Sequence, residues 1–337
     1  MAGARVEYYI HGRGRGHASR SAPIVRRLLK AGHRVGVYGG GDGVAMLQDC
    51  PEKFDRLPLL PGPLALPRLM ARAHADRRDM QARRPDIVVS DGDQAALLAA
   101  CMLRIPTLAI GHDLVFSCCE LPAELDRRAL LAQRANAAIP TYLAQRRIAV
   151  HFLPVRLQRR HTVLARPDSV GLSATQTRDE GYLLAYFRDG NGGRIVGALR
   201  GLGQQVHWFG PGARDGRGRP VPELGRESFR DELTRCSAVV ASAGSNLLAE
   251  CVLLGKPILA LHRVADSEQA LNAAWAAAAR VAMAARFEDG EQAALQCFLA
   301  RLAARDFSVT PLVQALRPVS DVAESSVSEL LALRMRR

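Results

Sequence analysis

One pattern limits the chain more than any other. Short runs of β-forming residues at 5–10, 33–38, 86–90 and 105–110 alternate with a glycine-rich loop and with stretches of helical period at 19–31 and 93–103. Such alternation predicts β-α-β units, hence a parallel sheet covered by helices on both faces. A basic, helix-prone stretch at 121–147 leads to a further strand at 148–152. Beyond Pro154 the segment holding Arg156, Arg159, Arg160, His161, Pro167 and Gly171 has little apolar rhythm and reads as an interdomain connection. The alternation then restarts, with strands at 181–187, 205–209, 237–241 and 257–261 and helices at 192–202 and 246–254. The expectation is two doubly wound α/β domains, one over 1–155 and a second over 175–312, and a terminal segment, 313–337, whose amphipathic helix packs back on the first.

Length and composition agree with this. A chain of 337 residues with 48% hydrophobic and 23% charged residues has enough apolar material for two cores and is too apolar for a disordered polymer. No apolar run reaches the 18 or so residues of a membrane span, and the first ten residues lack a signal-peptide core, which places the expected location in the cytoplasm. The seven cysteines include no C-x-x-C pair and read as reduced thiols. Of the net charge of +13, the first 160 residues carry +11.

In open α/β sheets ligands collect beyond the carboxyl ends of the strands. Three loops there carry chemistry. The first, His11-Gly12-Arg13-Gly14-Arg15-Gly16-His17, lacks the third glycine of a dinucleotide fingerprint, no acidic residue ends the second strand, and no G-K-[ST] follows for a P-loop. It remains a loop in which backbone can approach a ligand, with His17 at its rim either as a base or as a helix-end hydrogen-bonding group. Asp91 ends the strand at 87–90 and should emerge at the same edge; it could orient His17, or, like Asp93, cap the following helix. In the second half Ser242-Ala243-Gly244-Ser245-Asn246 joins a strand to a helix whose free amides and dipole suit a diphosphate. One turn on, Glu250 could accept two ribose hydroxyls; Glu268, Gln269 and Asn272, at the start of another helix, could read a sugar or simply form an ordinary helix start.

These residues resemble those of the GT-B glycosyltransferases, in the branch of the lipid II N-acetylglucosaminyltransferase and the UDP-glycosyltransferases. The plant-type donor signature runs H-C-G-W-N-S, then E, then D-Q; here Ser242-Ala243-Gly244-Ser245-Asn246-Leu247, Glu250 and Glu268-Gln269 align with it. Ser242 replaces a phosphate-binding His and Ser245 a Trp, so donor identity does not carry across. The resemblance implies the GT-B fold, two Rossmann-like domains facing across a cleft. It implies that Gly14, Gly16, Ser242, Gly244, Ser245, Asn246, Glu250, Glu268, Gln269 and Asn272 line the donor site, and that His17, partnered by Asp91, is the base. The reaction implied is inverting transfer from a UDP- or dTDP-sugar to an acceptor hydroxyl, with no metal and no cofactor; a nucleotide-sugar hydrolase or 2-epimerase is the alternative on the same scaffold.

The basic first half would draw an anionic or lipid-linked acceptor. Eight Arg against three acids lie between Glu120 and Arg160, either as a solvated helix face or as a peripheral contact with anionic lipid at the inner face of the membrane. Nucleic acid is not expected, because no recognition motif accompanies the charge.

Overall fold

A computed structural model describes residues 3–11, 15–40, 47, 50, 52–55, 65–169, 172, 177–187, 192–214, 226–307 and 315–335. The first lobe is built on seven parallel strands: β1 (Arg5–Ile10), β2 (Arg34–Gly39), β3 (Glu52–Asp55), β4 (Ile87–Asp91), β5 (Thr107–Gly111), β6 (Arg146–Val150) and β7 (Thr162–Ala165). Their order is β3-β2-β1-β4-β5-β6-β7. The chain therefore winds outward in one direction from β1 and in the other from β4, and the crevice between these two strands is the topological switch point of the sheet. Ile10 pairs with Asp91 across it, so the loop after β1 and the end of β4 open at one place. Both β4 and β5 are buried along their whole length, as central strands covered on two faces should be.

Helices α1 (Arg15–Lys30), α2 (Ala65–Arg83), α3 (Gln94–Met102), α4 (Val115–Cys118), α5 (Arg127–Asn136) and α6 (Ala138–Leu143) belong to this lobe. The basic, helix-prone stretch at 121–147 holds two short helices, α5 and α6, separated at Ala137, with Pro140 inside the first turn of α6 where a missing amide costs nothing. The connection expected after Pro154 contains β7, a four-residue edge strand too short to show a rhythm in the sequence.

The second lobe has five parallel strands, β8 (Leu183–Tyr186), β9 (Val206–Phe209), β10 (Ala238–Ser242), β11 (Ile258–His262) and β12 (Ala282–Arg286), in the order β12-β11-β10-β8-β9. Between and beyond them run α7 (Gly192–Gly201), α8 (Arg226–Arg235), α9 (Ser245–Leu254), α10 (Ser267–Ala278) and α11 (Glu291–Ala303). The switch point here lies between β8 and β10, and α9 starts directly after it. Every residue of α9 from Leu247 to Leu254 is buried, and Gly255 ends the helix in the left-handed conformation that a Cβ would penalise.

The last helix, α12 (Val319–Met335), returns to the first lobe. Val319, Val322, Ala323, Val327 and Leu330 join the core beneath β1, β4, β5 and β6. Along its edges Arg27 meets Asp321 and Glu324, each at 2.5 Å, Arg146 meets Glu329, and Arg334 meets Asp86 at 3.0 Å. The two lobes also share an apolar layer behind the cleft, in which Val115, Phe116 and Phe152 pack with Leu248, Leu271 and Trp275.

Candidate active site

The first wall of the site is the switch point of the seven-stranded sheet. Asp91 is fully buried at the end of β4, and its Oδ1 lies 2.7 Å from His17 Nδ1, in the first turns of α1. Arg20, one turn further along α1 and 5% exposed, grips the same carboxylate with both prongs: its Nε donates to Oδ2 at 2.9 Å and its Nη2 to Oδ1. Ser21 Oγ donates to Oδ2 at 3.0 Å. Burial by itself would raise this carboxyl, but the Arg20 guanidinium, and then His17, outweigh it and hold Asp91 well below the usual carboxylate range. Asp91 is thus not a helix cap. That task falls to Asp93, whose Oδ1 accepts from Ala96 N at the start of α3.

Close approach is what fixes the glycine between them. Gly92 has φ +80°, and a Cβ there would sit 3.0 Å from His17 Cε1 and 3.0 Å from His11 Cβ. A side chain would push the imidazole off Asp91. With Nδ1 engaged and about a third of the side chain exposed, the other edge of the His17 ring faces outward.

The second wall is the start of α9. Asp93, Asp126 and Asp266 accept amide hydrogens at the starts of α3, α5 and α10, whereas Gly244 at the start of α9, like the residues that begin α4, α6 and α11, supplies no side-chain acceptor. The first amides of α9 are left for another acceptor. Asn246 reaches across to α1 on either side of His17: its Nδ2 donates to Gly16 O at 3.4 Å and to Ser19 Oγ at 3.1 Å. Its own Oδ1 is buried with no hydrogen-bond partner. A Cβ on Gly16 would lie 3.8 Å from Asn246 Nδ2, so this is a true meeting of the two lobes. Ser242, Gly244 and Ser245 are half-buried around the same point.

The remaining sequence candidates separate. Glu250 is 9% exposed and faces Arg230 of α8 at 3.7 Å, so a ribose would share it with a guanidinium. Glu268 is exposed and Gln269 half-buried at the start of α10, where Asp266 caps the Gln269 amide. Asn272 is wholly buried: its Oδ1 lies 2.6 Å from His112 Nε2, of the first lobe, and its Nδ2 donates to Ala243 O at 3.1 Å. Its Oδ1 thus ties the second lobe to the first, while its Nδ2 ties α10 to the loop before α9 within the second lobe, so both ends of this amide, expected to read a sugar, are engaged in contacts within the protein. Gly14 lies outside the described residues.

Three residues escaped the sequence reading. Arg20 and Ser21 follow His17 at i+3 and i+4, the spacing that places side chains on one helical face, and that spacing was the available signal. Asp113, just past β5, is within electrostatic reach of His17 and of Glu268 across the cleft; its carboxyl is pushed up by burial, Glu268 adding to the effect while His17, Arg20 and His112 oppose it. Among the described residues no three His, Cys, Asp or Glu side chains gather as a metal site.

Two parallel-stranded lobes that meet over their switch points define the GT-B class of glycosyltransferase. The chain belongs to glycosyl transferase family 1, whose model matches residues 65–303. The calicheamicin glycosyltransferase CalG4 superposes with a TM-score of 0.67 at 15% identity, covering 98% of this chain and 99% of that one. MurG of Acinetobacter baumannii gives 0.66 at 15%, covering 96% and 99%. The glycosyltransferase VinC, solved in complex with dTDP, gives 0.62 at 14%, covering 97% and 99%. At such identities the likeness is one of fold. A comparison with curated protein sequences finds none that matches.

Proposed function

We propose that this glycosyltransferase is an inverting enzyme that uses a UDP- or dTDP-sugar and in which His17 deprotonates the acceptor hydroxyl. The observation that carries the reading is the juxtaposition of a carboxylate-held imidazole with an uncapped helix start, bridged by Asn246. The acceptor hydroxyl gives its proton to His17 Nε2 as its oxygen attacks the anomeric carbon from the side opposite the diphosphate. The diphosphate leaves with the bonding electron pair, and its new charge is met by the first amides and the positive end of α9. In this reading a divalent cation is unnecessary because the helix start does its work. Glu250 is assigned to the ribose, and Glu268 with Gln269 to the transferred sugar. VinC, with its bound dTDP, supports a nucleoside diphosphate as the donor-side ligand.

The acceptor is proposed to be anionic or lipid-linked and to approach the basic first lobe. Three of its arginines are withdrawn from that role: Arg147 is buried on the carbonyls of Thr141, Ala144 and Arg160, Arg134 binds Phe116 O, and Arg146 pairs with Glu329. Arg159, Arg160 and His161 remain around an open pocket of about 450 Å³. No helix among the described residues is long and apolar enough to cross a membrane; the membrane contact proposed is a peripheral one with anionic lipid.

The test is a donor panel assayed with and without acceptors, preceded by thermal shifts with UDP, dTDP and GDP. A ligand that binds the folded state alone raises its melting temperature. Stabilisation by a nucleoside diphosphate, an inverted anomeric centre in the product and undiminished turnover in EDTA are expected. Retention of configuration would exclude the displacement just described.

A further inference from the structure

We propose that Arg20 is a positioning residue that sets the tautomer of His17, and through it makes the cleft-facing nitrogen a base. The inference rests on His17 being the base. It begins with Asp91, a carboxyl group with no access to solvent. Such a group stays ionised only if a cation or several donors hold it; left alone it takes up a proton and becomes a hydroxyl donor. His17 lies on one oxygen of this carboxyl, and the protonation state of the carboxyl decides what His17 Nδ1 must do.

With Arg20 in place Asp91 is an acceptor only. It receives Nε at 2.9 Å on Oδ2 and Nη2 on Oδ1, with Ser21 Oγ at 3.0 Å completing Oδ2. The contact of 2.7 Å between Oδ1 and His17 Nδ1 is then satisfied only by a proton on Nδ1, which leaves the lone pair of the neutral ring on Nε2. Without Arg20 the buried carboxyl protonates and donates to Nδ1. The ring proton moves to Nε2, and the nitrogen that faces the acceptor becomes a donor.

A rival arrangement uses the same atoms. Arg20 Nη2 lies 3.1 Å from His17 Nδ1 and could donate to a lone pair there. That would set the Nδ1 lone pair against a carboxylate lone pair at 2.7 Å, a contact that only a proton makes favourable. The remaining groups around the ring do not settle the tautomer. His11 meets it edge-on at 5.4 Å between ring centres, and Asp113 interacts with it through charge alone.

The experiment combines kinetics with the ¹⁵N spectrum of His17, identified by its loss in His17→Ala. The wild-type enzyme at its pH of maximal activity is expected to show the Nδ1-H tautomer. Arg20→Gln is expected to show Nε2-H and to lose about 10³- to 10⁴-fold in kcat, the scale of a catalytic His held in the wrong tautomer, with donor KM changed less than threefold. Arg20→Lys, which keeps a cation beside the carboxylate, is expected to restore Nδ1-H and to recover kcat to within about tenfold of wild type. A scaffold role alone would lower the yield of folded protein without moving the tautomer. An Nε2-H ring in the wild type, or an Arg20→Gln enzyme that loses activity with Nδ1-H intact, overturns the proposal. If Arg20→Gln does not fold, the wild-type and Arg20→Lys spectra still decide it. Full turnover in His17→Ala would instead remove the base itself, so the two failures are separable.

Discussion

The first sheet holds two buried carboxylates, each gripped by an arginine, and they do different things. Glu7, in the middle of β1, accepts Arg83 Nε at 2.6 Å and Nη2 at 3.3 Å, the Tyr9 hydroxyl at 2.8 Å and, at 3.5 Å, that of Tyr38. Tyr38 stacks on Tyr9, lies under the Arg83 guanidinium, and has its hydroxyl pushed up to about 12 by burial and by Glu7. All these partners belong to the sheet or to α2, so the network closes on itself and fastens that helix to β1. Asp91, at the end of β4, has the same two-pronged arginine, but one of its partners is a partly exposed imidazole flanked on α1 by Gly16 and Ser19, the residues that Asn246 of the second lobe contacts. The difference is one of place. A charged pair in mid-strand stitches layers together, whereas a pair at the strand's carboxyl end, over the switch point, has one side open to a ligand.

Two substitutions break the comparison. Asp91→Asn should have the largest effect in the molecule: kcat falls by about 10⁴-fold as the imidazole loses its acceptor, and the stranded Arg20 costs about 3–5 kcal/mol of stability. Steady-state kinetics and urea unfolding measure the two parts. Glu7→Gln leaves Arg83 less isolated, because that side chain is 23% exposed and also lies 3.7 Å from Asp79, so it should cost less, about 1–3 kcal/mol, with kcat per folded molecule unchanged. If Glu7→Gln slows turnover as much as Asp91→Asn, the two clamps are not functionally distinct and the active-site reading of Asp91 loses its basis.

A third buried group sharpens the contrast because it has no clamp. His151 is buried beside Trp275, Phe152 and His112, and neither ring nitrogen has a hydrogen-bond partner. Burial, with His112 adding to it, depresses its pKa well below 6.5. The unfolded chain therefore binds a proton that the folded chain refuses, so stability present above about pH 6.5 is lost as the pH falls below that value. The loss attributable to this ring is about 1.4 kcal/mol per pH unit, and His151→Phe should flatten the stability profile there. An unchanged slope between pH 6.5 and 5 would show that another group carries it.

What the sequence revealed follows from what a pattern can encode. The alternation that gave β1, β4, β5, β10 and β11 is strong because central parallel strands are apolar throughout, and the loops carrying His17 and Asn246 could be placed by counting from those strands. The four-residue edge strands β3 and β7 and the polar helix α8 carry no such signal. Asp91 was legible as a strand-end carboxylate, yet its choice between cap and partner was settled by the turn at Gly92, which hands the cap to Asp93. Asn272 read as a sugar ligand because a polar residue at a helix start looks the same whether it faces a cleft or a neighbouring lobe; its contact with His112, 160 residues away, is not written in local sequence.

That last distinction gives the smallest and cleanest test, at Asp93, two residues from Asp91. Both are carboxylates at the same end of the same strand, and both meet an arginine: Arg72 Nη2 lies 3.2 Å from Asp93 Oδ2. If a strand-end carboxylate with a cation beside it were enough for function, removing either would stop the enzyme. The geometry says otherwise, because Asp93 accepts the Ala96 amide and its backbone is tied to Ser90 Oγ, contacts that organise the start of α3 and touch neither His17 nor the second lobe. Asp93→Ala should therefore cost about 1 kcal/mol, the usual worth of a helix cap, read as a lower unfolding midpoint, while kcat and donor KM stay at wild-type values. A kinetic defect in Asp93→Ala at temperatures where the protein is fully folded would extend the functional edge of the sheet beyond Asp91 to the first turn of α3.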